Sequence, residues 1–272
     1  MRKEGRLNLP QIHPWTVVDP RAEIADNVVI GPFCSISEGV TIGAGCILES
    51  HVTIHAGTTI GERNTIADGS VLGGDPQMRR YNGETTFLTI GNGNVIREYV
   101  TIHRSAKEGE STTVGDDCYI MAYCHIAHDC RIEDGVTMAN NVALAGHVTL
   151  ETLVTVGGMV GIVQFARVGQ VAMVAAMSKI TRDAPPFMLV DGNGGIEEVR
   201  DINAVGLRRI GIKPDARLAL HKAFKLLYKS QIGMTQAMQI VRDEVPMTPE
   251  IETLLRFEER RFEGRHGRGD QR

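Results

Sequence analysis

Aliphatic side chains recur at every sixth residue of this 272-residue chain, in one phase that never slips. The series runs Ile12, Val18, Ile24, Ile30, Ile36, Ile42, Leu48, Ile54, Ile60, Ile66 and Leu72, then resumes at Ile90, Ile96 and Ile102. It continues from Val114 through Ile126, Leu144 and Ile162 to Ile180. The two gaps, 73–89 and 103–113, separate positions 18 and 12 apart, both multiples of six. Neither the helical nor the strand period yields six. A six-residue repeat is the signature of a hexapeptide β-helix, whose short strands form three faces and whose coils stack. A second register agrees. Two residues before each aliphatic site stands a small or β-branched side chain, as at Val28, Cys34, Val40, Cys46, Val136, Val142 and Val148. Glycine often follows the aliphatic residue, at Gly31, Gly43, Gly61, Gly91, Gly115, Gly157 and Gly169, which predicts a corner needing a permissive backbone. Three faces of six residues make a coil of 18, so residues 18 apart should lie on neighbouring strands about 4.8 Å apart.

The pattern divides the chain into residues 1–190, the hexapeptide-repeat β-helix, and residues 191–272, a C-terminal α-helical domain. The gaps at 73–89 and 103–113 read as polar loops thrown out from corners, and long loops on a regular scaffold commonly carry function. Pro185-Pro186 ends the repeats, since proline cannot donate to a strand ladder. After the glycine-rich stretch 191–195 the spacing turns helical. Pro214 marks a helix start, with Leu220, Phe224, Leu227 and Tyr228 on one face. Thr248-Pro249-Glu250 reads as an N-cap and first turn. About three helices are expected, positioned to cover the open edge of the last coil. The polar tail from Arg260 is expected to fray.

Charge changes this picture little. With 29 Lys and Arg against 33 Asp and Glu, the net charge of −4 offers no case for nucleic-acid binding. The basic N-terminus lacks an apolar segment of the secretory kind, and no apolar run approaches the length of a membrane span, so a cytoplasmic location is expected. The five cysteines, Cys34, Cys46, Cys118, Cys124 and Cys130, all occupy the small-residue register and read as packing residues, not as metal ligands or disulfides.

Titratable groups crowd together in one place, Cys124-His125-Ile126-Ala127-His128-Asp129-Cys130. The 18-residue rule sets His128 beside Gly146 and Gly146 beside Gln164; it sets Asp129 beside His147 and His147 beside Phe165. These are the parts of a general-base site. A neutral imidazole takes a proton, a carboxylate orients the ring, and a glycine leaves an amide N–H open to a developing oxyanion. No serine or cysteine is placed as a nucleophile, which favours direct attack by an activated substrate group. Two other readings stay open for these residues: outward histidines at a subunit contact, and three histidines converging on zinc.

The segments Gly31-Pro32-Phe33-Cys34, Tyr81-Asn82-Gly83-Glu84, Thr101-Ile102-His103-Arg104, His125-Ile126-Ala127-His128-Asp129-Cys130, Leu144-Ala145-Gly146-His147 and Gln164-Phe165 resemble the acyl-ACP:UDP-N-acetylglucosamine O-acyltransferase family. The resemblance implies a left-handed parallel β-helix, against the usual right-handed crossover preference. It also implies a homotrimer with its active site between adjacent subunits. The implied reaction moves a 3-hydroxyacyl group from acyl carrier protein to the 3-position (a hydroxyl, or an amine) of UDP-N-acetylglucosamine, the first step of lipid A synthesis. No cofactor is implied beyond the phosphopantetheine thioester of the donor.

By the same resemblance His128 is the base, Asp129 orients it and Gly146 supplies the oxyanion amide. His125, His147, Gln164, Asn203 and Arg209 match positions at the nucleotide sugar, Gln77 and Arg80 match loop residues near the ligands, and Ala176 with Met173 bears on acyl length. Val163, Ile210, Met78 and Val205 depart from the family pattern in the substrate-facing shell. Arg167, Lys179, Arg182 and Arg208 are the expected landing site for the acidic carrier protein. The rival readings are an N-acyltransferase of the same pathway, a zinc hydratase of the γ-carbonic-anhydrase kind, and a non-catalytic nucleotide-sugar-binding protein.

Overall fold

The computed structural model describes residues 9–193 and 197–271. Among these, two- to five-residue strands build three faces of eleven, nine and eight strands. The first face starts at Gln11–Ile12, the second at Val17–Val18 and the third at Glu23–Ile24. Pairing is parallel and in the expected register, for example Gln11 with Val29 and His125 with Ala143. At the two excursions the spacing stretches by whole hexads: Thr101 pairs with Val71, thirty residues back, and with His125, twenty-four ahead. The phase survives because a shift of any other size would turn each aliphatic side chain out of the core.

Successive strand residues turn alternately outward and inward, so the aliphatic residue and the small residue two positions earlier share the interior. From Val28 onward both registers are buried, whereas Ile12 in the first coil is 40% exposed. All five cysteines are free and buried. Burial pushes the Cys118 and Cys124 thiols up to about 11 and the Cys130 thiol up to about 12, so none is a thiolate at neutral pH.

The glycines after the aliphatic positions need a different explanation from the one the sequence suggests. None of them lies in the left-handed region; that conformation falls two residues later, at Gly45 or at non-glycine corners such as Phe33, Asp129, His147 and Phe165. What requires glycine is the stacking distance. A Cβ on Gly43 would sit 2.6 Å from both the carbonyl carbon and the oxygen of Gly61. Gly43→Ala is therefore expected to lower stability by about 1–3 kcal/mol, read from the urea midpoint. An unchanged midpoint would mean that the coils separate locally at no cost.

Beyond the repeats, Met188–Asp191 extends the first face and pairs antiparallel with Glu198–Ile202, so strands persist into the region expected to be helical. Gly194 and Gly195 of the expected hinge lie outside the described residues. Four helices follow: α1 (Ala204–Arg209), α2 (Pro214–Phe224, continued by a π-helical turn over Lys225–Lys229), α3 (Met234–Glu244) and α4 (Pro249–Glu263). Pro214 and Pro249 occupy first turns, and the Thr248 hydroxyl accepts the Ile251 N–H. The helix beyond the expected three is α1, six residues long and capped by the Asn203 side chain, which accepts the Gly206 N–H.

Through Gln271 the tail is tied back onto the last coil. Gly267 C=O accepts the Asp183 N–H at 2.8 Å, and the buried Asp183 carboxylate accepts the N–H groups of Arg167 (2.8 Å) and Gly269 (2.7 Å). The Glu197 carboxylate likewise takes the N–H groups of Thr181 and Arg182. Tail and carboxylates thus satisfy the open edge of the last coil, where unpaired amides would otherwise be left. Burial raises the pKa of both carboxyls, with these hydrogen bonds acting against it.

Candidate active site

His125 lies at the outward position of its strand on the second face, and the parallel register continues that row through Ala143 and Gly161 to Lys179. Two small residues between a histidine and a lysine leave a hollow. It is a cleft of about 540 Å³, and His128, Gly146, Gln164 and Gln77 complete its wall. Gln77 arrives from the first excursion, far from the others in sequence.

His128 and Asp129 form the turn to the third face, with side chains 16% and 12% exposed. His128 Nδ1 donates to Asp129 Oδ2 at 2.6 Å, which fixes the tautomer and leaves Nε2 as the basic atom. Asp129 and His147 both sit in left-handed corners, φ 61°, one coil apart. Such a backbone costs about a kcal/mol or more per non-glycine residue, and aspartate tolerates it better than most. His147 lies flat on Phe165, centroids 4.5 Å apart, and edge-on to His128; its Nε2 is 3.5 Å from Asp129 Oδ2.

Burial alone would raise the Asp129 carboxyl. Hydrogen bonds from His128 and Ser105, the charge of His147 and the Ala106 N–H together overcome this and hold it at about 2. Burial lowers the pKa of His147, with Asp129 opposing, and lowers that of His125, where nearby His103 adds to the effect. His125 Nδ1 shares a 2.8 Å hydrogen bond with the Thr101 hydroxyl.

Gly146 packs beneath the His128 ring. A Cβ there would meet ring Cε1 at 2.6 Å and Nε2 at 2.9 Å. Its N–H has no partner among the described residues, while its C=O accepts the Phe165 N–H. His128 and Gly146 thus line one cleft, and the Gly146 N–H is unpartnered among the described residues. His128, Asp129 and His147 also bring three potential ligand atoms within 4.8 Å of one another, a grouping that does not include His125. Within one chain, among the described residues, the grouping is two histidines and a carboxylate and not three histidines.

The other predicted residues fall elsewhere on a single chain. Asn203 caps α1 and donates to Val171 C=O, at the corner between the third and first faces, and Arg209 is exposed at the end of that helix. Ala176 and Met173 lie on and beside the corner between the first and second faces, next to exposed Met159 and Met177. Arg80 is exposed on the first excursion and does not line the cleft. Arg167 is not an exposed landing residue: its side chain is 18% exposed and pairs with Glu151 (2.6 Å) and Asp270 (3.2 Å). Lys179, Arg182 and Arg208 are exposed. Of the departures from the family pattern, Val163 lines the cleft, while Met78, Val205 and Ile210 are solvent-exposed. Sequence reasoning missed Ser105, Thr112 and the Ala106 amide, all of which touch Asp129.

Comparison with known proteins adds family to geometry. The family model described as "Bacterial transferase hexapeptide (six repeats)" matches residues 21–56, 39–74 and 111–146. The model "Udp N-acetylglucosamine O-acyltransferase; Domain 2" matches 183–268. An acyl-[acyl-carrier-protein]–UDP-N-acetylglucosamine O-acyltransferase of Paracidovorax citrulli is 46% identical over 252 residues, covering 91% of this chain and 95% of that protein. The chain belongs to this O-acyltransferase family. Solved UDP-N-acetylglucosamine acyltransferases superpose along most of its length. The Francisella novicida structure has a TM-score of 0.87 at 35% identity, covering 92% of this chain and 91% of that one. The Bacteroides fragilis structure has a TM-score of 0.88 at 33% identity, covering 92% and 97%. The acyltransferase match therefore takes in both the repeats that carry His128 and the C-terminal region that closes the last coil.

Proposed function

We propose that the protein transfers a 3-hydroxyacyl group from acyl carrier protein to the 3-position of UDP-N-acetylglucosamine, the first step of lipid A synthesis. The observation that carries this is the His128–Asp129 pair packed against Gly146, whose N–H is unpartnered among the described residues, in one cleft. His128 Nε2 removes the proton from the acceptor as it attacks the thioester carbonyl carbon. The carbonyl oxygen becomes an oxyanion and takes the Gly146 N–H. Collapse of the tetrahedral intermediate breaks the C–S bond, and His128 returns its proton to the phosphopantetheine sulfur. Asp129 stabilises the imidazolium in between. Activation resides in the donor thioester, so the reaction asks for no further cofactor.

The outward row supports an anionic acceptor: Ala143 and Gly161 leave room for a sugar, and Lys179 places a cation at the far end. A homotrimer is part of the proposal. In one chain Asn203, Arg209, Ala176 and Met173 lie outside the cleft that His128 lines, and association about a threefold axis would set them against another chain's face. Ala176 and Met173 then bear on acyl length. Lys179, Arg182 and Arg208 are the remaining candidates to meet the acidic carrier protein. No helix among the described residues is long and apolar enough to cross a membrane. We place the protein in the cytoplasm, where its donor and nucleotide sugar are made.

The test is acyl transfer from a panel of 3-hydroxyacyl carrier proteins to UDP-N-acetylglucosamine and to its 3-amino analogue. Turnover with either acceptor supports the reading, and the preferred one shows what Val163 has done to the cleft. A folded protein that binds the nucleotide sugar yet transfers no acyl group would instead be a binding protein.

A further inference from the structure

The second excursion returns to the solenoid beside Asp129. Ser105 within it is fully buried, although the segment around it is polar. Its N–H donates to Phe87 C=O at 3.1 Å, which ties it to the third face. Its hydroxyl oxygen accepts the Lys107 N–H at 3.1 Å, and its hydroxyl proton goes to Asp129 Oδ1. The Ala106 N–H reaches the same Oδ1 at 3.3 Å. Thr112 accepts the Asp129 N–H at 2.8 Å, holding the backbone that lies in the left-handed region. The two carboxylate oxygens are thus divided: Oδ1 belongs to the excursion, and Oδ2 faces the imidazoles of His128 and His147.

A carboxylate turns easily about its terminal torsion, which has no sharp staggered minima. With Oδ1 anchored, Oδ2 stays aligned with His128 Nδ1; with Oδ1 loose, that alignment is shared among orientations. We infer that Ser105 is a positioning residue of the acyl transfer, acting through Asp129 on the orientation of His128. This rests on the reading of His128 as the general base. It also gives the 103–113 excursion a role: the backbone detour delivers a hydroxyl that no regular hexad would place there.

The experiment compares the full-length wild type with Ser105→Ala, Ser105→Thr, Asp129→Asn and the double variant Ser105→Ala/Asp129→Asn. Steady-state kinetics with 3-hydroxyacyl carrier protein and UDP-N-acetylglucosamine are paired with NMR of the downfield His128 Nδ1–H proton. Losing a hydrogen bond to a charged group predicts that Ser105→Ala lowers kcat about tenfold with KM unchanged. The Nδ1–H signal should broaden, Ser105→Thr should restore both, and Ser105→Ala should cost nothing further once Asp129 is Asn. Equal losses in both backgrounds, or an unchanged proton signal, would overturn the inference. So would a loss shared by Ser105→Thr and accompanied by a lower melting temperature, which would make Ser105 a folding residue. If the wild type transfers no acyl group, the proposed reaction fails, while the NMR comparison still decides whether Ser105 orders the His–Asp pair.

Discussion

Replacing His128 by Ala is expected to lower kcat by about a thousandfold or more, within the range general-base groups supply. The substitution removes the cleft's one imidazole that is braced by a carboxylate. Asp129 cannot take over, because a carboxylate is a weaker base than an imidazole at neutral pH and its Oδ1 stays bound to Ser105 and the Ala106 N–H. His125 and His147 remain, but His125 bonds Thr101 through Nδ1, and His147 is stacked on Phe165 with its Nε2 towards Asp129. Neither is placed to substitute. The nucleotide sugar should still bind, since Gln77, Gln164 and Lys179 are untouched. Steady-state kinetics and calorimetric titration with UDP-N-acetylglucosamine separate the two effects. A variant within tenfold of the wild-type kcat would remove His128 from the chemistry.

Gly146→Ala should cost a factor of about 10²–10³ in kcat, the scale of losing one oxyanion donor. The mechanism here is compound. The added methyl would lie 2.6 Å from His128 Cε1, so the ring must swing away and its 2.6 Å hydrogen bond to Asp129 lengthens. The displaced ring and methyl also crowd the amide that receives the oxyanion. Gly146 is not in the left-handed region, so the backbone accepts alanine and the fold should persist. Kinetics alongside circular dichroism and a melting curve test this. Full activity in a folded variant would mean that the ring has a second productive seat and that the close packing at Gly146 is incidental to catalysis.

Both predictions concern residues legible from the amino-acid sequence, because the hexapeptide repeat is close to one-dimensional. Where the period is a strict six, sequence distance converts directly into spatial distance, and His128 falls beside Gly146 and Asp129 beside His147 by counting. The conversion ends wherever the chain leaves the period. The excursions keep the phase but not the path, so nothing in the spacing places Gln77 in the cleft or Ser105 and the Ala106 amide on Asp129. Nor does it distinguish an exposed Lys179 from an Arg167 drawn into pairs with Glu151 and Asp270, the latter 103 residues away. The glycines show the same boundary from another side. Their positions were legible, but the reason for them was not, since a close approach between coils is a property of stacking and not of local backbone freedom.

The sequence by itself therefore determined the solenoid, its three faces, its register and the core of the site, because in a stacked coil each residue's neighbours are set by a single period. Only the tertiary structure decided how the carboxylate of Asp129 is held, which loop groups enter the cleft, and how the tail and Glu197 close the last coil. Those contacts join segments of irregular path, and their positions depend on where each loop returns, which no periodicity encodes.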